Sequence, residues 1–178
     1  MDIFSLTGAK RTFLGFQPSF DEADAVVIPV PYDSTVSYGT GARSGPSAMI
    51  DASSQLERYD IDLGCEICDN VKAYTMDELE IDKSCPEKSL GVVESAVAGV
   101  MKLGKKPVVF GGEHSITAGA VAGLKRKDIS VLQFDAHSDL RDSYEGTRYS
   151  HACAMRRVRE KVESAVQVGI RAMCLEEA

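Results

Sequence analysis

Five short apolar runs, rich in β-branched residues, are spaced along the chain at Ala25–Val30, Val71–Thr75, Pro107–Phe110, Ile129–Phe134 and Ala165–Ile170. Runs of this length and composition predict buried strands. Between them, apolar residues recur at three- and four-residue steps, the spacing of one helix face. Met49, Ala52, Leu56 and Tyr59 make the first such face, with Pro46 suited to the first helical position. Leu90, Val93, Val97 and Val100 make the second, in a segment from Pro86 to Gly104, a natural C-terminal stop. Ile116, Ala120 and Leu124 make the third. Ala152, Met155, Val158 and Val162 make the fourth, behind Ser150 as its N-cap. Strict alternation of strand and helix predicts an α/β domain with right-handed crossovers and a mainly parallel sheet covered on both faces. Asp60–Asn70 is polar and turn-rich and reads as a surface excursion. With no repeat or linker, residues 1–178 read as one domain.

Composition narrows the classes of function. At 178 residues with 44% hydrophobic and 26% charged positions, the chain has the make-up of a soluble protein and enough length to bury a core. No apolar run approaches the roughly 20 residues of a membrane span. Met1–Phe20 is broken by Lys10, Arg11 and Pro18, unlike a signal peptide, so the expected compartment is the cytoplasm and no membrane partner is expected. The net charge of −7, without a Lys/Arg block, argues against nucleic acid and suits a small cationic ligand. Five cysteines, an odd number, are expected to be free thiols. Cys65 and Cys68 form a single C-x-x-C with no second pair to complete a structural zinc site.

The candidate chemistry lies just beyond predicted strands, where open α/β sheets place their sites. Gly111-Gly112-Glu113-His114-Ser115 follows one strand, and Asp135-Ala136-His137-Ser138-Asp139 follows the next. On an extended segment residues i, i+2 and i+4 share a face, so Asp135, His137 and Asp139 are expected to point together. Two carboxylates bracketing an imidazole repel and shift one another's proton affinity unless a cation joins them. Oxygen and nitrogen donors of this kind suit manganese or zinc. His151 stands at a helix start, where the dipole disfavours the imidazolium and favours proton exchange near neutrality. All three histidines of the chain fall in this region, which points to a metal-centred site.

These motifs resemble the ureohydrolase family of arginases and agmatinases. G-G-E-H-S-I-T is similar to the family's first metal motif and D-A-H-S-D to its second. Pro31-Tyr32-Asp33-Ser34-Thr35, Tyr38-Gly39-Thr40-Gly41 and Gly45-Pro46 resemble its N-terminal substrate-side loop, Ser150-His151 its later histidine motif, and Gln167-Val168-Gly169-Ile170-Arg171 the strand after it. The wording of the loops is closer to agmatinases than to arginases. The resemblance implies a three-layer α/β/α arginase-like fold and two bridged Mn²⁺ ions. It implies His114, Asp135 and Asp139 as ligands of one ion, and His137 with a bridging Asp135 as ligands of the other. Asp139 and His151 are then the catalytic residues, with His151 beside the substrate as proton carrier.

The implied reaction is hydrolysis of a guanidinium, agmatine to putrescine and urea, as in polyamine biosynthesis. A guanidinium carbon is a poor electrophile, and two ions ~3.5–4 Å apart can hold a hydroxide and lower its pKa toward neutrality. The leaving amine needs a proton, which suits His151. Glu113 stands where many relatives have Asp and is not implied as a ligand. Ile50 stands where many relatives have Arg, and nothing explains that difference.

Two further aspartate ligands, carried in the family by an S-x-D-x-D-x-x-D-P segment, have no counterpart here, so the domain is expected to be truncated at its C-terminus and lacking its last three strands. Glu176 and Glu177 are not expected to replace them, since they lie on another strand's exit. Two of the absent strands normally separate those ending at His114 and Asp135. Their absence leaves either direct pairing or two open edges. Full-length relatives tend toward trimers or hexamers. The alternatives are another ureohydrolase (acting on arginine, a guanidino acid or formiminoglutamate), a zinc amidohydrolase of the deacetylase type, or a non-catalytic fragment.

Overall fold

The structure is a computed structural model and describes residues 10–178, so the first nine residues of the Met1–Phe20 segment lie outside it. The strands are β1 (Ala25–Val30), β2 (Tyr59–Asp60), β3 (Cys65–Glu66), β4 (Ala73–Thr75), β5 (Lys106–Gly111), β6 (Ser130–Phe134) and β7 (Ser164–Val168). The helices are α1 (Gly45–Ser53), α2 (Ile67–Asn70), α3 (Pro86–Lys102), α4 (Ile116–Gly123) and α5 (Ala154–Arg159). All five strand runs of the sequence appear, within two residues at most ends.

β1 is the central strand of a parallel three-stranded sheet in the order β4-β1-β5. Every residue of β1 is buried, as its unbroken apolar run requires. Val26, Ile28 and Val30 join Val93, Val97 and Val100 of α3 in the main core. Pro29 is tolerated in this central strand for a local reason. Its carbonyl accepts from Leu79 on the β4 side. Its missing N–H faces that same side, beyond the end of β4, so no ladder bond is lost.

The helix expected around Met49 stops at Ser53, leaving Leu56 and Tyr59 exposed outside it. Asp60–Asn70 lies largely at the surface, as expected, and has structure of its own. It holds the return strand of a small antiparallel hairpin, β2 with β3, and the single-turn helix α2.

The sheet is not continuous. β6 and β7 pair in parallel as a second unit, and no ladder joins β5 to β6. Of the two outcomes expected from sequence, the open-edged one is found. Helix α4 fastens the halves, packing on α3 on one side and α5 on the other. Gly119 permits the first contact, because a Cβ there would lie 2.5 Å from the Leu90 carbonyl oxygen.

Coverage of both faces, expected for a parallel sheet, holds for β1 and fails for β6–β7. Leu132 pairs with Val166 and Phe134 with Val168, and all four side chains are exposed on one face, Phe134 at 75%. An uncovered apolar face beside an unpaired edge favours association. Residues 1–178 expressed alone should therefore bind an apolar dye and elute larger than a monomer in size-exclusion chromatography. Phe134→Thr with Val166→Thr should reduce both effects, and no change in either would refute this account of the face.

Candidate metal centre

β1, β5 and β6 all end at the same edge of their parallel units, and the candidate residues occupy the turns that follow. Beyond β5, Gly112 lets the chain pass close to the β1 exit, since a Cβ would fall 2.3 Å from the Tyr32 carbonyl oxygen. The next residue seals that contact, with Glu113 N–H donating to Tyr32 O at 2.8 Å. His114 is thereby aimed across the gap toward the turn after β6.

There it meets two carboxylates. His114 Nδ1 lies 2.5 Å from Asp139 Oδ2 and 3.6 Å from Asp135 Oδ2. Ligand atoms of His114, Asp135 and Asp139 all lie within 4.8 Å of one another, and all three residues are partly buried. The other oxygen of Asp135, Oδ1, lies 3.6 Å from His137 Nδ1. Asp135 thus shows one oxygen to each histidine, the disposition a bridging ligand needs. Burial alone would raise the Asp135 carboxyl, but the His137 N–H, the Gln133 amide and the charge of His114 outweigh it and hold the group below its usual range.

The expectation that Asp135, His137 and Asp139 point together is only partly realised. The extended stretch ends before Asp139, whose φ is +51°. That left-handed turn swings the Asp139 carboxylate to His114, while its carbonyl caps the start of α5 by accepting from Met155 and Arg156 N–H. His137 stands apart from the compact triad with its side chain 65% exposed. The alternation rule requires unbroken β geometry, and the turn breaks it.

The loop carrying these residues is held from behind. Gln133 and Gln167 face each other across β6 and β7. Gln167 Nε2 donates to Gln133 Oε1 (2.5 Å) and Ser138 O (2.8 Å). Gln133 Nε2 donates in turn to Asp135 Oδ2 (3.0 Å) and His137 O (3.3 Å). Glu177 closes the other end, accepting from Ser138 Oγ (2.8 Å), Leu140 N–H (2.9 Å) and Cys174 N–H (2.7 Å). Glu177 therefore reaches the site loop as a clamp and lies outside the triad. Further along, Asp142 accepts from Arg157 at 2.6 Å and Arg148 at 3.1 Å, tying the loop to α5.

His151 lies across the cleft in the 3-10 turn His151–Cys153, with Ser150 capping as the sequence predicts by accepting from Ala152 N–H. Its ring meets Tyr144 edge-on at 5.8 Å and Ser37 Oγ at 3.2 Å from Nε2. The substrate-side loop is cinched by Asp33, whose carboxylate accepts from Gly41 N–H at 2.9 Å. Burial would raise this carboxyl too, yet the Gly41 bond and the Arg43 charge bring it below its usual value. His114, Asp135, His137, Asp139, Tyr144 and His151 line a cleft of about 710 Å³. Sequence reasoning set Glu113 aside, read Thr35 only as part of the substrate-side loop and gave Gln133 and Gln167 no role in the site. Gln133 bonds Asp135 and His137, Thr35 bonds His151, and Gln167 and Glu113 stand one step behind them. The mirrored glutamines at equivalent strand positions were the available signal.

The arginase family model matches residues 23–178. The chain is 40% identical to the N(1)-aminopropylagmatine ureohydrolase of Synechocystis sp., an alignment covering 97% of this chain and 59% of that protein. It is 33% identical to the agmatinase of Bacillus subtilis, covering 94% of this chain and 59% of that one. Among solved structures, the agmatine ureohydrolase of Thermoplasma volcanium superposes with a TM-score of 0.85 at 36% identity, covering 97% of this chain and 58% of that structure. The chain belongs to the arginase family, with an arginase-like α/β fold, and spans under two thirds of these relatives' length.

The Glu177 clamp generates a pH-dependent prediction. Burial raises its carboxyl, but the bonds from Cys174, Leu140 and Ser138 dominate and lower it from 4.5 to about 2. A carboxyl depressed on folding contributes stability that is whole above the unfolded value and lost as pH falls through the folded one. Glu177→Gln should cost roughly 1–3 kcal/mol at neutral pH. The difference from wild type should close between pH 4.5 and about 2. Denaturant unfolding of both proteins across that range checks this, and a pH-independent gap would rule the clamp out as the cause.

Proposed function

We propose that this chain supplies the histidine- and aspartate-bearing part of a manganese-dependent ureohydrolase that converts agmatine to putrescine and urea. The observation that carries the reading is the convergence of His114, Asp135 and Asp139, with the second oxygen of Asp135 turned to His137. The donor set fits the metal: two imidazole nitrogens and carboxylate oxygens, with Asp135 shared, suit two manganese ions. His114, Asp135 and Asp139 would hold one ion and His137 with Asp135 the other, and further carboxylates would complete the shell. Manganese bound there would supply activated water for attack on the guanidinium carbon.

The chain's own residues do the rest. The Gln133–Gln167 pair and Glu177 keep the loop from shifting. The carboxylates give the cleft a negative field suited to a cation. His151 stands where it can pass a proton to the departing amine. The relatives named as agmatinase and agmatine ureohydrolase support the substrate class. A second substrate, N(1)-aminopropylagmatine, is favoured by the name of the 40% identical relative. We assign the assembled protein one ureohydrolase domain that includes residues 1–178, a cytoplasmic place and homo-oligomeric assembly; among the described residues no helix is long and apolar enough to cross a membrane.

The test uses the full-length protein with Mn²⁺ and either amine substrate, reading urea release and bound metal. Chelation should abolish activity and Mn²⁺ should restore it. Asp135→Ala should lose both metal and activity, because a shared carboxylate serves two ions. His151→Asn should lower turnover roughly 10²–10⁴-fold with metal content intact. Full manganese occupancy with undiminished urea release in Asp135→Ala would reject the assignment.

A further inference from the structure

One carboxylate at the site is neither a ligand in the proposed scheme nor on the surface. Glu113 is 5% exposed and receives three hydrogen bonds. Thr35 N–H donates to Oε2 at 2.7 Å, and the Thr35 and Ser115 hydroxyls donate to Oε1, each at 2.5 Å. A surface carboxylate has no need of such a set, and a buried one is costly unless satisfied this way.

The Thr35 hydroxyl is the informative partner. A hydroxyl has one proton and two lone pairs. Its proton is committed to Glu113, so it can only accept from anything else. Both remaining neighbours belong to His151: the backbone N–H at 2.9 Å and ring Nδ1 at 3.5 Å. An oxygen that can only accept favours a proton on Nδ1. The lone pair of the neutral ring then sits on Nε2, 3.2 Å from Ser37 Oγ in the cleft, where the Ser37 hydroxyl can donate to it and accept in turn from the Tyr144 hydroxyl at 3.4 Å. Ser150 Oγ is a second oxygen on Nδ1, at 3.2 Å, and it can accept the same proton.

We infer that Glu113 and Thr35 are positioning residues for His151, fixing the ring's place and its Nδ1–H tautomer so that Nε2 is the nitrogen that takes and gives the proton. This rests on the proposed role of His151 in proton transfer. It adds a function for the substrate-side loop: Thr35 orients the acid–base residue as well as shaping the cleft. It also gives the residue beside His114 a task separate from metal binding.

The test is a double-mutant cycle in the full-length, manganese-loaded protein, with agmatine as the probe substrate. Thr35→Val should lower kcat roughly tenfold to a hundredfold, a fraction of the general acid–base contribution. KM should change less than threefold and bound manganese should not change. Thr35→Ser, which keeps the hydroxyl, should recover most of the loss. Combined with His151→Asn, Thr35→Val should add nothing further, because the relay acts only through the ring.

Multiplicative losses in the double variant, or a Thr35→Val effect confined to KM, would overturn the inference. A separate readout covers the case where Thr35→Val misfolds. In wild type, imidazole ¹⁵N shifts of labelled His151 should show Nδ1 protonated and Nε2 bare, and the opposite tautomer would equally overturn it. If His151→Asn itself leaves turnover unchanged, the functional reading fails, while the tautomer measurement still decides the relay.

Discussion

The contact between His114 Nδ1 and Asp139 Oδ2 is the point on which this architecture turns, because its two partners follow strands of different sheets. No ladder hydrogen bond joins β5 to β6, so backbone pairing cannot set the separation of the two turns. Side-chain packing sets it instead, through α4 wedged between α3 and α5. Helices pack at a distance fixed by the residues in the contact. The close approach at Gly119 therefore bears on where His114 sits, since α4 begins two residues beyond it. An apolar helix interface far from solvent is in this way a determinant of polar geometry in the cleft.

Much of this was legible in the sequence, and the reasons are particular. Strand β1 announced itself because a strand buried on both faces must be apolar throughout. The ends of α3 were marked by Pro86 and Gly104, whose backbone preferences act locally. His114, Asp135 and Asp139 stood out because strand exits are few and titratable residues clustered at them are rarer still. What stayed hidden depends on partners distant in sequence. Glu113 meets Thr35 across 78 positions and Glu177 meets Leu140 across 37. No local pattern distinguishes such a glutamate from a solvated one. The left-handed turn at Asp139 was invisible for a related reason. Aspartate tolerates that conformation without requiring it, so the period-two reading ran past the point where the chain bends.

The electrostatics of the cleft follow one rule. Glu113, Asp135 and Glu177 take hydrogen bonds mainly from neutral donors: backbone N–H groups, hydroxyls and a side-chain amide. Such bonds stabilise an ionised carboxylate without cancelling its charge. Arginines approach these groups only at longer range, Arg141 at 3.8 Å from Glu177 and Arg43 at 3.5 Å from the nearby Asp33, while the short arginine bonds lie at the periphery, where Arg157 and Arg148 bind Asp142. The centre thus keeps a net negative field while each carboxylate is individually satisfied. A cleft neutralised by its own arginines would have little attraction left for a divalent ion or a guanidinium, and it would resemble the structural ion-pair cluster found around Asp142.

The exit of β5 joins the two halves of the proposed chemistry in adjacent residues. Glu113 reaches Thr35, and through it His151, while His114 reaches Asp135 and Asp139. In the turn after β5 these neighbouring side chains diverge, so one short backbone unit serves both walls of the cleft. The two walls cannot then drift independently. A displacement of the β5 exit that moved the imidazole off the carboxylates would also pull on the loop that holds His151. Proton transfer and nucleophile placement must agree in position by fractions of an ångström. Anchoring both to consecutive residues just beyond β5, the strand beside the fully buried β1, meets that demand with a single reference.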